Sequence, residues 1–313
     1  MDSLLAGVLA ARQTIAPYIY HTPLAQPDPR QAIYYKMEAW QKTGSFKIRG
    51  ALNAILSREV PQDLPFVAAS AGNHGLGVAF AASISQRAAH IFVPKTVSPA
   101  KLEALHAFGV KVTLVGEDYD EAEAAAMHYS QEMDFPFVHA FADPQVIFGQ
   151  GTIGLEIAMS LPSVQQVLVP VGGGGLISGV AIALKHLLPG VEIIGIQSEA
   201  SPAMVAALRK GQVVETPVQP SLADGLAGRF VHPTTLKYTQ KYVDEVVLVQ
   251  EETIKAAIKN LLSQFKYVVE GSAVVGLAAL MEAKVSLKTP CVIVLTGSNI
   301  ALKTLQALLE EPG

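Results

Sequence analysis

The sequence predicts a two-lobed α/β protein, each lobe an open, mostly parallel sheet flanked by helices. Three observations carry that expectation. The chain has 313 residues, more than one compact core usually organises. Half of its residues are hydrophobic, enough to fill large cores. From residue 30 onward, short β-branched or apolar runs alternate with longer stretches of helical period, as βαβ units do. Strands are expected at 33–37, 66–69, 90–93, 111–115, 166–171, 191–197, 243–249 and 290–295, most of them continuously apolar like buried parallel strands. Helices are expected at 74–86, 99–108, 119–132, 175–188, 251–264, 272–283 and 301–310, with Pro99 and Pro202 suited to first turns. No internal repeat, low-complexity tract or long linker is visible, so the lobes are expected to be joined by short crossovers within one body.

Composition narrows the function. Lys and Arg total 23 against 27 Asp and Glu, a net charge of −4, and no basic block could track nucleic acid or an anionic membrane. The single cysteine, Cys291, sits in an apolar run and reads as a buried core thiol. That usage fits a reducing, cytoplasmic compartment, and the start Met1-Asp2-Ser3 lacks the basic region of a secretory signal. Residues 157–184 carry no charge, but Pro162, Pro170 and four consecutive glycines break them into shorter elements instead of a membrane span.

Four segments carry chemistry. In Thr43-Gly44-Ser45-Phe46-Lys47-Ile48-Arg49-Gly50-Ala51, Ser45 reads as an N-cap that places Lys47 in a helix's first turn. There the positive end of the helix dipole favours the neutral amine, a nucleophile toward aldehydes. Gly44 leaves room for a flat ligand, and Phe46 offers an aromatic surface. Taken alone, the same pattern also describes a solvated first-turn lysine.

Ser70-Ala71-Gly72-Asn73-His74-Gly75 forms a strand-to-helix loop, at the strand end where open α/β sheets collect ligands. Asn73 could bond a phenolic oxygen and the loop amides a carboxylate; an ordinary helix cap and a satisfied helix-start histidine are the plainer alternatives. Val171-Gly172-Gly173-Gly174-Gly175-Leu176 is strand, glycine loop and helix, a cradle for a single terminal phosphate. It matches neither the nucleoside-triphosphate nor the dinucleotide fingerprint. At 296–299, Thr296 sits at another strand end, where its hydroxyl could meet a neutral ring nitrogen or serve an ordinary turn. Glu199, Asp224 and Glu270 are the remaining acids near strand ends or loops.

The competing reading is a nicotinamide-dependent oxidoreductase, raised by Gly149-Gln150-Gly151-Thr152-Ile153-Gly154. Context argues against it: Ala142-Asp143-Pro144-Gln145 is turn chemistry, and no acid lies between Glu156 and Glu192 to hold a ribose. The three glycines are expected instead to let two helices pack closely.

On these motifs the chain resembles the serine/threonine dehydratase group of fold-type-II pyridoxal-phosphate enzymes, over nearly its whole length. The resemblance implies a tryptophan-synthase-β-like fold, with residues 1–51 and 143–313 as the large cofactor-binding domain and 52–142 as the small domain bearing the asparagine loop. It implies pyridoxal 5′-phosphate as cofactor, Lys47 as the Schiff-base lysine, and Phe46, Asn73, Gly172, Gly173, Gly174, Gly175, Leu176 and Thr296 as cofactor-binding residues. Ser70, Ala71, Gly72 and His74 would meet the substrate carboxylate. The implied reaction is β-elimination of water from L-threonine or L-serine to a 2-oxo acid and ammonia, in a homodimer or higher homo-oligomer.

Departures from the group's pattern bear on the reaction. Ala71 stands where serine racemases of the group carry a second acid/base serine, which favours elimination over racemisation. The racemase-type metal site is matched at Glu199 and Ala203 but has Val205 in place of an acid, so no metal is expected. Glu270-Gly271-Ser272-Ala273 and Leu222-Ala223-Asp224-Gly225 vary from the threonine-deaminase versions and leave the preferred hydroxy amino acid open. A serine or aspartate racemase, or a 3-hydroxyaspartate dehydratase, is the alternative within the group.

Overall fold

A computed structural model describes residues 2–310; residue 1 and residues 311–313, the ends of the expected large domain, lie outside the described residues. In chain order the elements are α1 (Ser3–Ile15), β1 (Leu24–Ala25), β2 (Ile33–Lys36), α2 (Lys47–Leu56), β3 (Phe66–Ala69), α3 (Asn73–Ile84), β4 (Ala89–Val93) and α4 (Pro99–His106). There follow β5 (Lys111–Leu114), α5 (Tyr119–Glu132), α6 (Pro144–Ser160), β6 (Gln166–Pro170), α7 (Gly175–Leu187), β7 (Glu192–Ser198) and α8 (Ala203–Lys210). The chain continues through α9 (Pro233–Tyr242), β8 (Glu245–Val249), α10 (Glu251–Phe265), α11 (Val275–Met281), β9 (Cys291–Val294) and α12 (Leu302–Glu310). Single 3₁₀ turns stand at Glu38–Trp40, Asp224–Leu226 and Gly271–Ala273.

The strands form two sheets. One has six strands in the order β1-β2-β9-β6-β7-β8; the other has three, β3-β4-β5. Every pairing is parallel except the short β1 against β2. The last strand, β9, inserts between β2 and β6, with Val292 beside Tyr34 on one side and Val167 on the other. Since parallel strands present their carboxyl ends together, the segments leaving β2, β6 and β9 emerge along one edge of the sheet.

Strands β3, β4, β6 and β9 are buried throughout, as continuously apolar runs should be, β3 at its sheet edge being covered by the segment 136–138 that bonds to Val67. The expectation of burial fails at other sheet edges. In β5, Lys111 and Leu114 are exposed, and β8 is only half-buried along most of its length, because each lacks a neighbour on one side. The expected helix 272–283 begins instead as the 3₁₀ turn Gly271–Ala273 before α11, because residue 270 is extended and its N–H donates to the carbonyl of Gly297. Pro99 takes the first turn of α4, whereas Pro202 sits one position earlier than expected, as the cap of α8. Cys291 is buried, and burial pushes its thiol up to about 12.

The glycines of 149–154 pack helices closely, as expected. They lie within α6, whose start is capped by Asp143 accepting from the N–H of Gln145. A Cβ on Gly154 would meet the carbonyl of Val180 at 2.7 Å, and one on Gly149 would meet the carbonyl of Arg49 at 2.5 Å. The contact is reciprocal at Gly179 in α7, where a Cβ would stand 2.6 Å from the backbone nitrogen of Gly151. Backbone opposes backbone here and neither can yield cheaply, so Gly179→Ala should lower the unfolding free energy by about 3 kcal/mol, read from chemical denaturation.

Candidate active site

A cavity of about 600 Å³ opens between the two sheets. Its wall contains every residue the sequence singled out for cofactor or substrate: Phe46, Lys47, Ser70, Ala71, Gly72, Asn73, His74, Gly172, Gly173, Gly174, Gly175, Leu176 and Thr296. Four chain segments far apart in sequence thus meet in one place, although Gly44 does not reach the wall. A Cβ there would strike the Asn299 carboxamide at 2.6 Å, so the space beside Gly44 belongs to that side chain, and its φ of +71° serves a turn.

Lys47 is the first residue of α2, in the first turn as expected, but Ser45 is not its cap. The capping position falls to Phe46, with helical dihedrals and no side-chain bond, while the Ser45 hydroxyl is buried without a partner. Ser45 is held by a backbone bridge to Gly297, and the Phe46 N–H donates to the carbonyl of Thr296. The lysine loop is therefore stitched to the end of β9. Lys47 Nζ donates to the carbonyl of Ala140 at 3.0 Å and stands 5.4 Å from the Phe46 ring centre. Burial pulls Lys47 down to about 8, against the attraction of Glu270 and Glu123. Desolvation is what favours its neutral amine.

The glycine loop is shaped by steric exclusion. Gly174 adopts φ +93°, which other residues resist, and a Cβ there would lie 2.6 Å from Met204 Cε. One on Gly173 would strike the Phe141 ring at 2.5 Å. Thr235 Oγ1 donates to the Gly173 carbonyl at 2.7 Å and fixes the loop from below. Free amides at the start of the 13-residue α7 follow directly, a ready anion site.

Asn73 is not an ordinary cap. Its Nδ2 donates to Glu270 Oε1 at 2.8 Å, and its Oδ1 accepts from Asn299 Nδ2 at 2.6 Å. His74 is buried with Nε2 2.8 Å from the carbonyl of Val138, and burial depresses it to about 3, leaving it neutral. Ser70 Oγ accepts from the Gly72 N–H at 3.1 Å and closes the turn before α3. Thr296, only 2 % exposed, has no partner for its hydroxyl.

The fold also brings in residues the sequence reading passed over. Tyr119 and Glu123 line the cavity from α5, their spacing of four placing both on one helix face. In the sequence they look like the solvated side of an ordinary helix, and only packing turns them inward. Glu270 was visible merely as one of several loop acids. It is buried at the cavity wall, and burial pushes it up to about 7.

The family model for pyridoxal-phosphate dependent enzymes matches residues 15–297. An L-threonine ammonia-lyase of Geobacter sulfurreducens is 45% identical over 285 residues, spanning 89% of this chain and 70% of that protein. Among solved structures, a threonine deaminase isoform of Solanum lycopersicum, in its processed form, superposes with a TM-score of 0.91 at 32% identity, covering 99% of this chain and 93% of the other. A maize serine racemase superposes with a TM-score of 0.90 at 30% identity, covering 97% and 96%.

The raised Glu270 has a thermodynamic signature. Its folded value near 7 lies above the ordinary 4.5, so the folded state holds a proton that the unfolded chain releases. The carboxyl is neutral and harmless at low pH, and its cost to stability grows as pH rises from about 4.5 to 7. Glu270→Gln, which keeps an acceptor for Asn73 without the charge, should stabilise the cofactor-free protein at pH 8 by about 3 kcal/mol and by almost nothing at pH 4.5, in paired denaturation curves.

Proposed function

The chain belongs to the family of pyridoxal-phosphate dependent enzymes, and from that premise we propose that it is a dehydratase of 3-hydroxy amino acids. It removes water from L-threonine or L-serine by β-elimination, and hydrolysis of the enamine so formed gives a 2-oxo acid and ammonia. Its likeness to an L-threonine ammonia-lyase and a threonine deaminase supports this reading over that of a racemase.

The cavity suits pyridoxal phosphate on observations of its own. Thr296 Oγ1 is a buried hydroxyl without a partner, free to bond the pyridine nitrogen. The run Gly172–Gly175 leaves no space for side chains and ends at a helix N-terminus, as a phosphate cradle must. Asn73 Nδ2 carries a second hydrogen besides the one donated to Glu270, suited to the phenolic oxygen. When bound, the cofactor supplies an aldehyde that captures amines and a conjugated ring that accepts the electron pair freed at Cα.

The carrying observation is the pairing of Lys47 with Ala71 in one cavity. Near pH 8 about half of Lys47 is the neutral amine, able to take the Cα proton at Nζ. The Ala140 carbonyl, 3.0 Å away, then holds the ammonium that results. Residue 71, where racemases of the group carry a serine, is a methyl and can neither give nor take a proton. Deprotonation is therefore one-faced: the pair freed at Cα forms the Cα–Cβ double bond as the Cβ–O bond breaks, and the hydroxyl takes up a proton and departs as water. The substrate carboxylate falls to the amides at the start of α3, that of His74 among them, since the N–H groups of Ser70 and Gly72 already donate to the Phe92 carbonyl and the Ser70 hydroxyl. Thr296 presents a hydroxyl where a carboxylate would hold a proton on the ring nitrogen, which restrains transamination.

Residues 52–142 make the small domain in this reading, and 1–51 with 143–313 the large one, closing over substrate. Ion pairs of Arg229 with Asp118 and Asp120, at 2.9 and 3.0 Å, support closure because they cross from the loop after α8 to the start of α5. Among the described residues no helix is long and apolar enough to cross a membrane. A cytoplasmic homo-oligomer acting on a free amino acid completes the reading.

Ammonia and 2-oxo acid should appear with L-threonine and L-serine in a panel that also holds 3-hydroxyaspartate, and Lys47→Ala should lower that turnover by at least about a thousandfold. Racemised amino acid without oxo acid would replace the dehydratase with a racemase.

A further inference from the structure

One group of titratable side chains takes no part in the reaction as described: Tyr119 and Glu123 on the cavity wall, and His139 beside them. Tyr119 Oη donates to Glu123 Oε1 at 2.6 Å, and the same oxygen lies 3.8 Å from His139 Nε2. Glu123 is buried, with 8% of its surface exposed. The other imidazole nitrogen, His139 Nδ1, accepts from the N–H groups of Phe141 and Ala142, each at 3.2 Å. Two donors on Nδ1 leave the ring proton on Nε2, turned toward Glu123. Burial holds His139 down at about 4, with His232 and Lys47 adding to the effect, so the ring stays neutral.

The turn that His139 ties together does two things at the site. Its residue 140 supplies the carbonyl that accepts from Lys47 Nζ at 3.0 Å. Its residue 141 supplies the ring that fills the space beside Gly173. We propose that Tyr119, Glu123 and His139 are a positioning relay for Lys47: tyrosine orients the carboxylate, the carboxylate orients the imidazole, and the imidazole sets the 139–142 turn whose Ala140 carbonyl anchors the amine. Glu123 also attracts the Lys47 ammonium directly, as Glu270 does, while His74 and His139 face the same amine as neutral rings. Asp120 stands beside Glu123, and His232 beside His139.

The relay rests on Lys47 being the reactive lysine but not on which amino acid is turned over, so it is tested without substrate. Reductive methylation of Lys47 in the full-length, cofactor-free chain, quantified by mass spectrometry across pH, reads the proton affinity of its amine. Glu123→Gln should move the labelling midpoint down by about half a pH unit or more, and Tyr119→Phe should move it in the same direction by less. His139→Ala should also lower it, and His139→Asn, whose Oδ1 can accept from the same two amides, should bring it back toward the parent value. An unchanged midpoint in Glu123→Gln, with the circular dichroism spectrum intact, overturns the relay. A His139→Asn midpoint no closer to the parent than that of His139→Ala overturns it as well.

Discussion

The structure turns on a charge cluster buried behind the cavity. Arg49 is fully buried in α2 and donates to Glu38 through Nε at 2.7 Å and Nη2 at 2.8 Å, and to Glu156 through Nη1 at 2.7 Å and Nη2 at 2.9 Å. Lys36, also buried, is paired with Glu156 and donates to the carbonyl of Thr22 at 2.6 Å. Two acids and two bases cancel, and each is held by hydrogen bonds, the condition under which buried charges are tolerated. Burial pushes the Glu156 carboxyl up, but Arg49 and Lys36 more than offset it and hold it below the usual range. Losing one member would strand the others in a medium that cannot solvate them. The cluster therefore dictates how the end of β2, the turn Glu38–Trp40, α2 and α6 meet. Lys47 lies only two residues from Arg49, so the position of its helix is inherited from this constraint.

A second constraint is parallel strand order. Inserting β9 between β2 and β6 lines up their carboxyl ends, and with them Thr296, the segment leading to Lys47 and the glycine loop. The three-stranded sheet adds the asparagine loop from the end of β3. Residues more than two hundred positions apart in the chain become neighbours, as the Ser45–Gly297 bridge and the Asn299–Asn73 hydrogen bond show. Chemistry that needs an amine, an anion cradle and a hydroxyl together is assembled here by topology, while no single segment contains more than one of them.

Electrostatics in the cavity follow from desolvation more than from any individual partner. Lys47 moves down and Glu270 up for the same reason, since burial penalises each charged form. An amine and a carboxyl are thereby both brought toward neutral pH, where small changes in their surroundings alter which of them carries a proton. His74 and His139 respond to burial in the same way and remain neutral polar groups, useful for orientation and unsuited to compete for the proton that Lys47 handles.

By itself the sequence determined the alternation of apolar strands and helices, and hence the parallel α/β class, because burial on both faces of a sheet demands continuous apolar runs. It also determined the local motifs: a first-turn lysine, a strand-to-helix loop with Asn73, four glycines before a helix and a hydroxyl at Thr296. These depend on neighbours in the chain and are legible there. The tertiary structure decided what depends on distant neighbours. Ser45 reads as a cap, but its backbone is claimed by Gly297; Gly44 reads as ligand room, but Asn299 fills it. Glu123, Tyr119 and His139 look like ordinary solvated side chains until α5 packs against the cavity. Whether an acid or an imidazole faces water or a buried amine is set by which segments fold over it, and that information is spread over the whole chain.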